Sequence, residues 1–289
     1  MRLLLTVMQW CARMPLAGLH FLGAGLGWLV YVLSPTYARR CRTNLRASGI
    51  CTNERMYRQT LRAAIAENGK SVTELCKVWF GRDDEIARLV SCDVWSVIEK
   101  AQRAGKGILF LTPHLGCFEI SALYVAQRMP LTVLYRPPKR ATLEPIMRAG
   151  RVRGQMHLAP ANLTGVRMLY KALRRGEAIG VLPDQAPGVG EGKWAEFFGR
   201  PAYTMTLVTR LQAATGATVI MAFAERLSSG RGYRLHLEPV TAAPLLPGTL
   251  NHAVEATVRL NPAQYLWGYN RYKVPAGAEP PQDSKANAA

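Results

Sequence analysis

Residues 14–38, MPLAGLHFLGAGLGWLVYVLSPTYA, contain no Asp, Glu, Lys or Arg. An uncharged run of this length reaches the roughly 20 residues that a helix needs to cross a hydrocarbon core. Its small residues, with Trp28 and Tyr31 towards the carboxyl end, suit a bilayer-embedded or interfacial helix. Arg39, Arg40, Arg42 and Arg46 follow at once, the kind of cluster found on the cytoplasmic side. Three readings compete for this segment: a retained membrane anchor, a buried core helix, and a cleaved signal peptide. A signal peptide has a shorter apolar region and a small-residue cleavage site. The long run and the arginines behind it favour the retained anchor, either crossing the bilayer or lying in one leaflet.

The rest of the chain has the rhythm of an α/β domain. Over 52–80 the apolar positions Leu61, Ile65, Val72, Leu75, Cys76 and Trp79 recur at three-to-four-residue spacing, predicting one long helix or two shorter ones. Residues 94–104 read as a helix stopped by Gly105 and Gly107. The run GILFLT then reads as a fully buried strand. Further strands are predicted at 131–135, 178–182, 218–225 and 233–238, and helices at 121–127, 143–149, 163–174 and 205–214. This alternation implies a mostly parallel central sheet flanked by helices, behind an N-terminal membrane helix. The expected division is 1–38 for the anchor, 39–276 for the α/β domain and 277–289 for a disordered, Pro- and Ala-rich tail.

Thirty-seven Lys and Arg stand against nineteen Asp and Glu, a formal net charge of +18. Such a surface attracts polyanions: nucleic acid, anionic lipid headgroups or acidic proteins. No groove-reading or base-stacking motif accompanies the charge, so nucleic acid is not expected as a partner. The six cysteines form no C-x-x-C pair and no finger spacing, which argues against structural zinc or a disulfide framework and fits a reducing compartment. Neither the dinucleotide Gly pattern nor a Gly-Lys-Ser/Thr loop is present; no metal and no nucleotide cofactor is expected.

Chemistry concentrates in LFLTPHLGCFEIS, residues 109–121. On a continuous helix, His114 and Glu119 would diverge by about 140°. They meet only if His114 lies in the turn before a helix and Glu119 in its first turns, a corner that Pro113 and Gly116 permit. That corner sits at the carboxyl end of a strand, where open α/β folds build their sites. A neutral imidazole there can take a proton from an attacking hydroxyl while a carboxylate fixes its tautomer. Taken bare, the pair equally suits a structural histidine. Cys117 would serve as a covalent nucleophile only if its side chain faced His114.

Several blocks extend this motif. They are LYRPPKR (134–140), GRVRG (150–154), LPDQAPGVGEGKWAEFFGRPA (182–202) and NPAQYLWGYNRYK (261–273). With the H-x4-E spacing of His114 and Glu119 and the apolar N-terminal helix, they resemble, in order and over nearly the whole chain, the lipid A late acyltransferases. The resemblance implies that His114 is the general base and Glu119 its orienting partner. It implies that Arg151 or Arg153 contacts substrate or phosphate, and that acyl carrier protein is the donor and a lipid A precursor the acceptor. It places the protein at the bacterial inner membrane, with its catalytic domain on the cytoplasmic face. Arg136, Lys139, Arg140, Arg148, Arg151 and Arg153 then suit either substrate phosphates or anionic membrane lipid. Asp184 orients substrate or caps a loop. Gly188, Gly190 and Gly192 read as a flexible loop; Trp194, Phe197 and Phe198 line an acyl pocket or belong to the core. Two rivals remain: a glycerophospholipid acyltransferase with the same His/Glu pair, and a noncatalytic membrane adaptor.

Overall fold

The computed structural model describes residues 2–138, 140–242 and 244–281. The chain opens with four helices, α1 (Arg2–Cys11), α2 (Leu16–Leu33), α3 (Pro35–Ala47) and α4 (Glu54–Phe80). There follow α5 (Asp83–Leu89), β1 (Val90–Ser91), α6 (Ser96–Arg103), β2 (Ile108–Leu111), α7 (Phe118–Ala126) and β3 (Leu131–Tyr135). Next come α8 (Glu144–Arg151), β4 (Met156–Pro160), α9 (Leu163–Arg174) and β5 (Ala178–Val181). A hairpin, β6 (Gly192–Phe197) and β7 (Arg200–Met205), leads to α10 (Leu207–Thr215), β8 (Thr218–Arg226), β9 (Tyr233–Pro239) and α11 (Pro247–Leu260).

Seven strands form one sheet in the order β1-β9-β8-β2-β5-β3-β4, parallel throughout except for the β8–β9 pair. This is the expected mostly parallel sheet flanked by helices. Its central strands, ILFL and AIGV, are buried on both faces, which explains their unbroken apolar sequence. Successive side chains divide between two cores. Leu109, Leu111, Ile179 and Val181 pack with α9, α10 and α11, whereas Ile108, Phe110 and Ala178 pack with α5, α6 and α7.

The region 52–80 is a single helix, α4, whose Asn53 carboxamide oxygen accepts a hydrogen bond from the Met56 amide at 2.9 Å. Helix α2 lies along it. Gly23 and Gly27 sit directly on Gly69 and Ile65, so close that a Cβ at Gly27 would strike the Ile65 carbonyl oxygen. Thr73 Oγ1 donates to the Leu19 carbonyl at 2.7 Å, and His20 Nε2 lies 3.2 Å from Glu74. The other face of α2 is bare: Phe21, Leu22, Leu29, Val32 and Leu33 are exposed. Its 18 residues, of mean hydropathy 1.7, are long and apolar enough to cross a membrane, which suggests anchoring.

Several elements go beyond the sequence reading, α3, α5 and β1 among them. The Gly-rich segment after residue 188 runs into the β6–β7 hairpin, and Phe197 and Phe198 are core residues. Strand β4 and helix α11 had no assignment. The tail expected at 277–289 lies mostly outside the described residues.

Candidate active site

The corner after β2 is built as its sequence requires. Gly116 adopts φ +61°, and a Cβ there would run into the Ala224 carbonyl, so the turn needs glycine. The block 261–273 braces the corner from behind. Gly116 N donates to the Gln264 carbonyl at 3.1 Å, Leu266 N donates to the His114 carbonyl at 3.1 Å, and Leu115 pairs with Tyr265. Arg226, from the end of β8, donates to the Gly116 carbonyl at 2.6 Å.

The carboxylate partner of His114 is Asp184. His114 Nδ1 lies 2.8 Å from Asp184 Oδ1, and the His114 amide donates to Oδ2 at 2.9 Å. The sheet register brings them together: Leu111 of β2 pairs with Val181 of β5, and each residue lies three positions beyond. Asp184 is only 3% exposed. Burial raises its pKa, but the charge and hydrogen bonds of His114 outweigh this and hold the carboxyl below its ordinary range. With Nδ1–H directed at Asp184, Nε2 carries the ring's lone pair. The Gln185 carboxamide nitrogen faces it at 3.1 Å, and Phe118 packs edge-on against the ring.

The structure does not set Glu119 on the His114 ring. Glu119 does lie in the first turn of α7, but its carboxylate is occupied elsewhere. Arg151 Nε contacts both its oxygens at 3.0 Å, Arg151 Nη2 makes a further short contact, and Trp79 Nε1 donates to it at 3.1 Å. Asp184, expected as a substrate contact or a loop cap, is buried and hydrogen-bonded to the ring and the amide of His114. Arg153 points away, donating to the carbonyls of Val78, Trp79 and Gly81 and pairing with Asp83. Cys117 is buried, and burial followed by the nearby Glu74 charge pushes its thiol pKa well up, so it does not serve as a thiolate nucleophile.

A cleft of about 1210 Å³ opens at the carboxyl ends of β2, β3 and β5. His114, Glu119, Arg136, Arg151 and Gln185 line it, so three of the four predicted substrate contacts lie in or beside it and Arg153 does not. Phe118, Ala122, Val133, Met147 and Met156 make part of its wall apolar. Trp194, Phe197 and Phe198 are absent from that wall. Among the described residues there is no cluster of His, Cys, Asp and Glu able to hold a metal ion.

The family model for bacterial lipid A biosynthesis acyltransferases matches residues 2–274. The chain belongs to that family. It is an acyltransferase of lipid A biosynthesis. Similar proteins include the lipid A biosynthesis lauroyltransferase of Escherichia coli (strain K12), 26% identical over 90% of this chain and 87% of the relative. The palmitoleoyltransferase of the same strain is 27% identical over 72% of this chain and 71% of its own length. A lipid A biosynthesis acyltransferase of Haemophilus influenzae is 27% identical over 59% of this chain and 55% of its own length. For a lipid A acyltransferase, a cleft lined by both charged and apolar side chains suits a substrate with a polar headgroup and a hydrocarbon chain.

Proposed function

We propose that the chain moves a fatty acyl group from an acyl carrier protein thioester to a hydroxyl of a lipid A precursor, with His114 as general base. The supporting observation is the His114–Asp184 dyad on the wall of a cleft that is apolar in part, with Nε2 met by the Gln185 amide. The acceptor hydroxyl displaces the Gln185 amide from Nε2 and gives its proton to that nitrogen as its oxygen attacks the thioester carbonyl. Asp184 stabilises the imidazolium that forms. The tetrahedral intermediate collapses by breaking the C–S bond, and the imidazolium returns the proton to the departing thiolate, leaving an ester and the carrier thiol. Positive charge on the same wall suits the oxyanion: the amino-terminal end of α7 and the Arg151 guanidinium, held by Glu119. Arg136 at the exposed rim is a phosphate contact. The exposed Arg39, Arg40, Arg42 and Arg46 and the cationic surface fit an inner membrane whose cytoplasmic face presents anionic lipid and an acidic carrier protein.

The test is a membrane-fraction assay with radiolabelled lipid A precursor and a panel of acyl carrier protein thioesters. Transfer to lipid A supports the reading; transfer to lysophospholipid alone replaces the acceptor and leaves the chemistry in place. Chain length follows from the apolar part of the cleft. Gly180 of β5 lines the cleft, and a Cβ added there would lie 3.0 Å from Val133 Cγ1. Glycine inside a central strand marks a close approach of another group. Gly180→Val is expected to shift the preferred acyl chain towards fewer carbons, with about 1–3 kcal/mol of discrimination per methylene. Mass spectrometry of the products from mixed thioesters measures this, and an unchanged chain distribution removes this part of the cleft as the acyl site.

A further inference from the structure

Helix α2 is long enough to cross a bilayer, yet it is fastened along its length to a helix that cannot follow it there. We infer that α1 and α2 lie in one leaflet through their outward faces, leaving the amino terminus on the same side of the membrane as the catalytic cleft. The inference rests on the membrane location proposed above.

The contact between α2 and α4 extends from Leu16, in one core beside Val78 and Trp79, to Tyr31, packed against the other. Between them the Gly23–Gly27 face meets the α4 backbone with no room for a side chain. Polar ties cross the same seam, from Thr73 to the Leu19 carbonyl and between His20 and the buried Glu74. A crossing α2 would take α4 with it, and α4 carries Arg62, Glu67, Lys70, Glu74 and Lys77 along its length. Such a row of ionisable groups does not enter a hydrocarbon core. Pulling α2 free would instead leave Gly23, Gly27 and Gly69 unpacked and remove His20 from Glu74.

What α2 turns outward suits a partial immersion. Phe21, Leu22, Gly25, Leu29, Val32 and Leu33 fall on its exposed side, recurring at helical spacing. Helix α1 repeats the pattern: Leu3, Leu4, Val7 and Trp10 are exposed, while Met8 packs against the protein. Exposed Arg13, Arg39 and Arg40 flank these apolar faces, where anionic headgroups would meet them.

The experiment uses the full chain with one epitope at each end and compares intact spheroplasts with inverted membrane vesicles. Both epitopes are expected to be protease-accessible in inverted vesicles and protected in spheroplasts. Cleavage of the amino-terminal epitope in spheroplasts, with the carboxyl-terminal one protected, overturns the inference and leaves the membrane location standing. Recovery of the protein in the soluble fraction overturns both. A second readout separates the seam from the lipid-facing surface. Gly27→Leu is expected to lower the thermal unfolding temperature in detergent, because α2 and α4 can no longer touch. If α2 left α4 to cross the bilayer, Gly27 would face lipid, and unchanged unfolding would overturn the inference.

Discussion

His114→Ala is expected to reduce acyl transfer by at least about 10²-fold, with membrane association unchanged. The side chain lies on the cleft wall, and its loss removes the group that accepts the hydroxyl proton. Asp184→Asn is expected to cost a similar factor for a different reason. An Asn carboxamide can donate to Nδ1, which places the ring proton on Nε2 and abolishes its lone pair; it also leaves the imidazolium without a counter-charge. Glu119→Gln should do less. The Trp79 contact can persist, while Arg151 loses a charged partner and is held less firmly against the oxyanion, so a smaller loss falls on kcat. Steady-state kinetics of the three variants decide the assignment. Loss in Glu119→Gln equal to that in His114→Ala, with Asp184→Asn near wild type, would return the orienting role to Glu119.

What sequence could and could not reveal at this site follows from range. Pro113, His114 and Gly116 sit within a few residues of a buried strand, so the strand–turn–helix corner was legible locally. Asp184 lies 70 residues from His114, and only the pairing of Leu111 with Val181 makes them neighbours. Register between parallel strands leaves no local mark, although the position of Asp184 just after a predicted strand did place it at the correct sheet edge. Local spacing and the H-x4-E resemblance point to Glu119, whereas the carboxylate on the ring comes from the neighbouring strand. Arg151 and Arg153 show the same limit: one ends α8 facing the cleft, and the other, just past the helix, turns back to α4 carbonyls. In the β6–β7 hairpin, the glycines before residue 192 read as loop and hid the alternation of GKWAEF and RPAYTM. For Phe197 and Phe198 the core is the alternative, of the two the sequence leaves open, that the structure bears out.

Removing Glu74 is expected to destabilise the protein by up to about 3–5 kcal/mol, because Arg226 would remain buried with only the Glu67 carboxylate, 3.1 Å from its Nη1, to meet its charge. Glu74 is fully enclosed. It accepts from Arg226 Nε and Nη2, each at 2.8 Å, and from Tyr233 Oη at 2.9 Å, with His20 alongside. Burial pushes its carboxyl up, but the Arg226 charge and the His20 and Arg226 hydrogen bonds more than offset this and bring it from 4.5 to about 2. Because the folded pKa is depressed, this contribution is complete above pH 4.5 and fades as pH falls towards 2. The shift corresponds to roughly 3 kcal/mol, the same order as the expected mutational loss. Denaturant titrations of wild type and Glu74→Gln should thus differ by a constant amount near neutrality and converge in acid; a gap that persists at pH 2 would assign the loss to packing. The double variant Glu74→Leu/Arg226→Met removes both charges and should recover much of the stability, since a buried pair replaced by apolar groups of similar size is often neutral. Activity should not return with it. Arg226 also holds the Gly116 carbonyl, and Met offers that oxygen no donor, so the turn carrying His114 loses a brace even in a stable protein. A double variant restored in both stability and kcat would show that the corner is held by Gln264 and Leu266 alone.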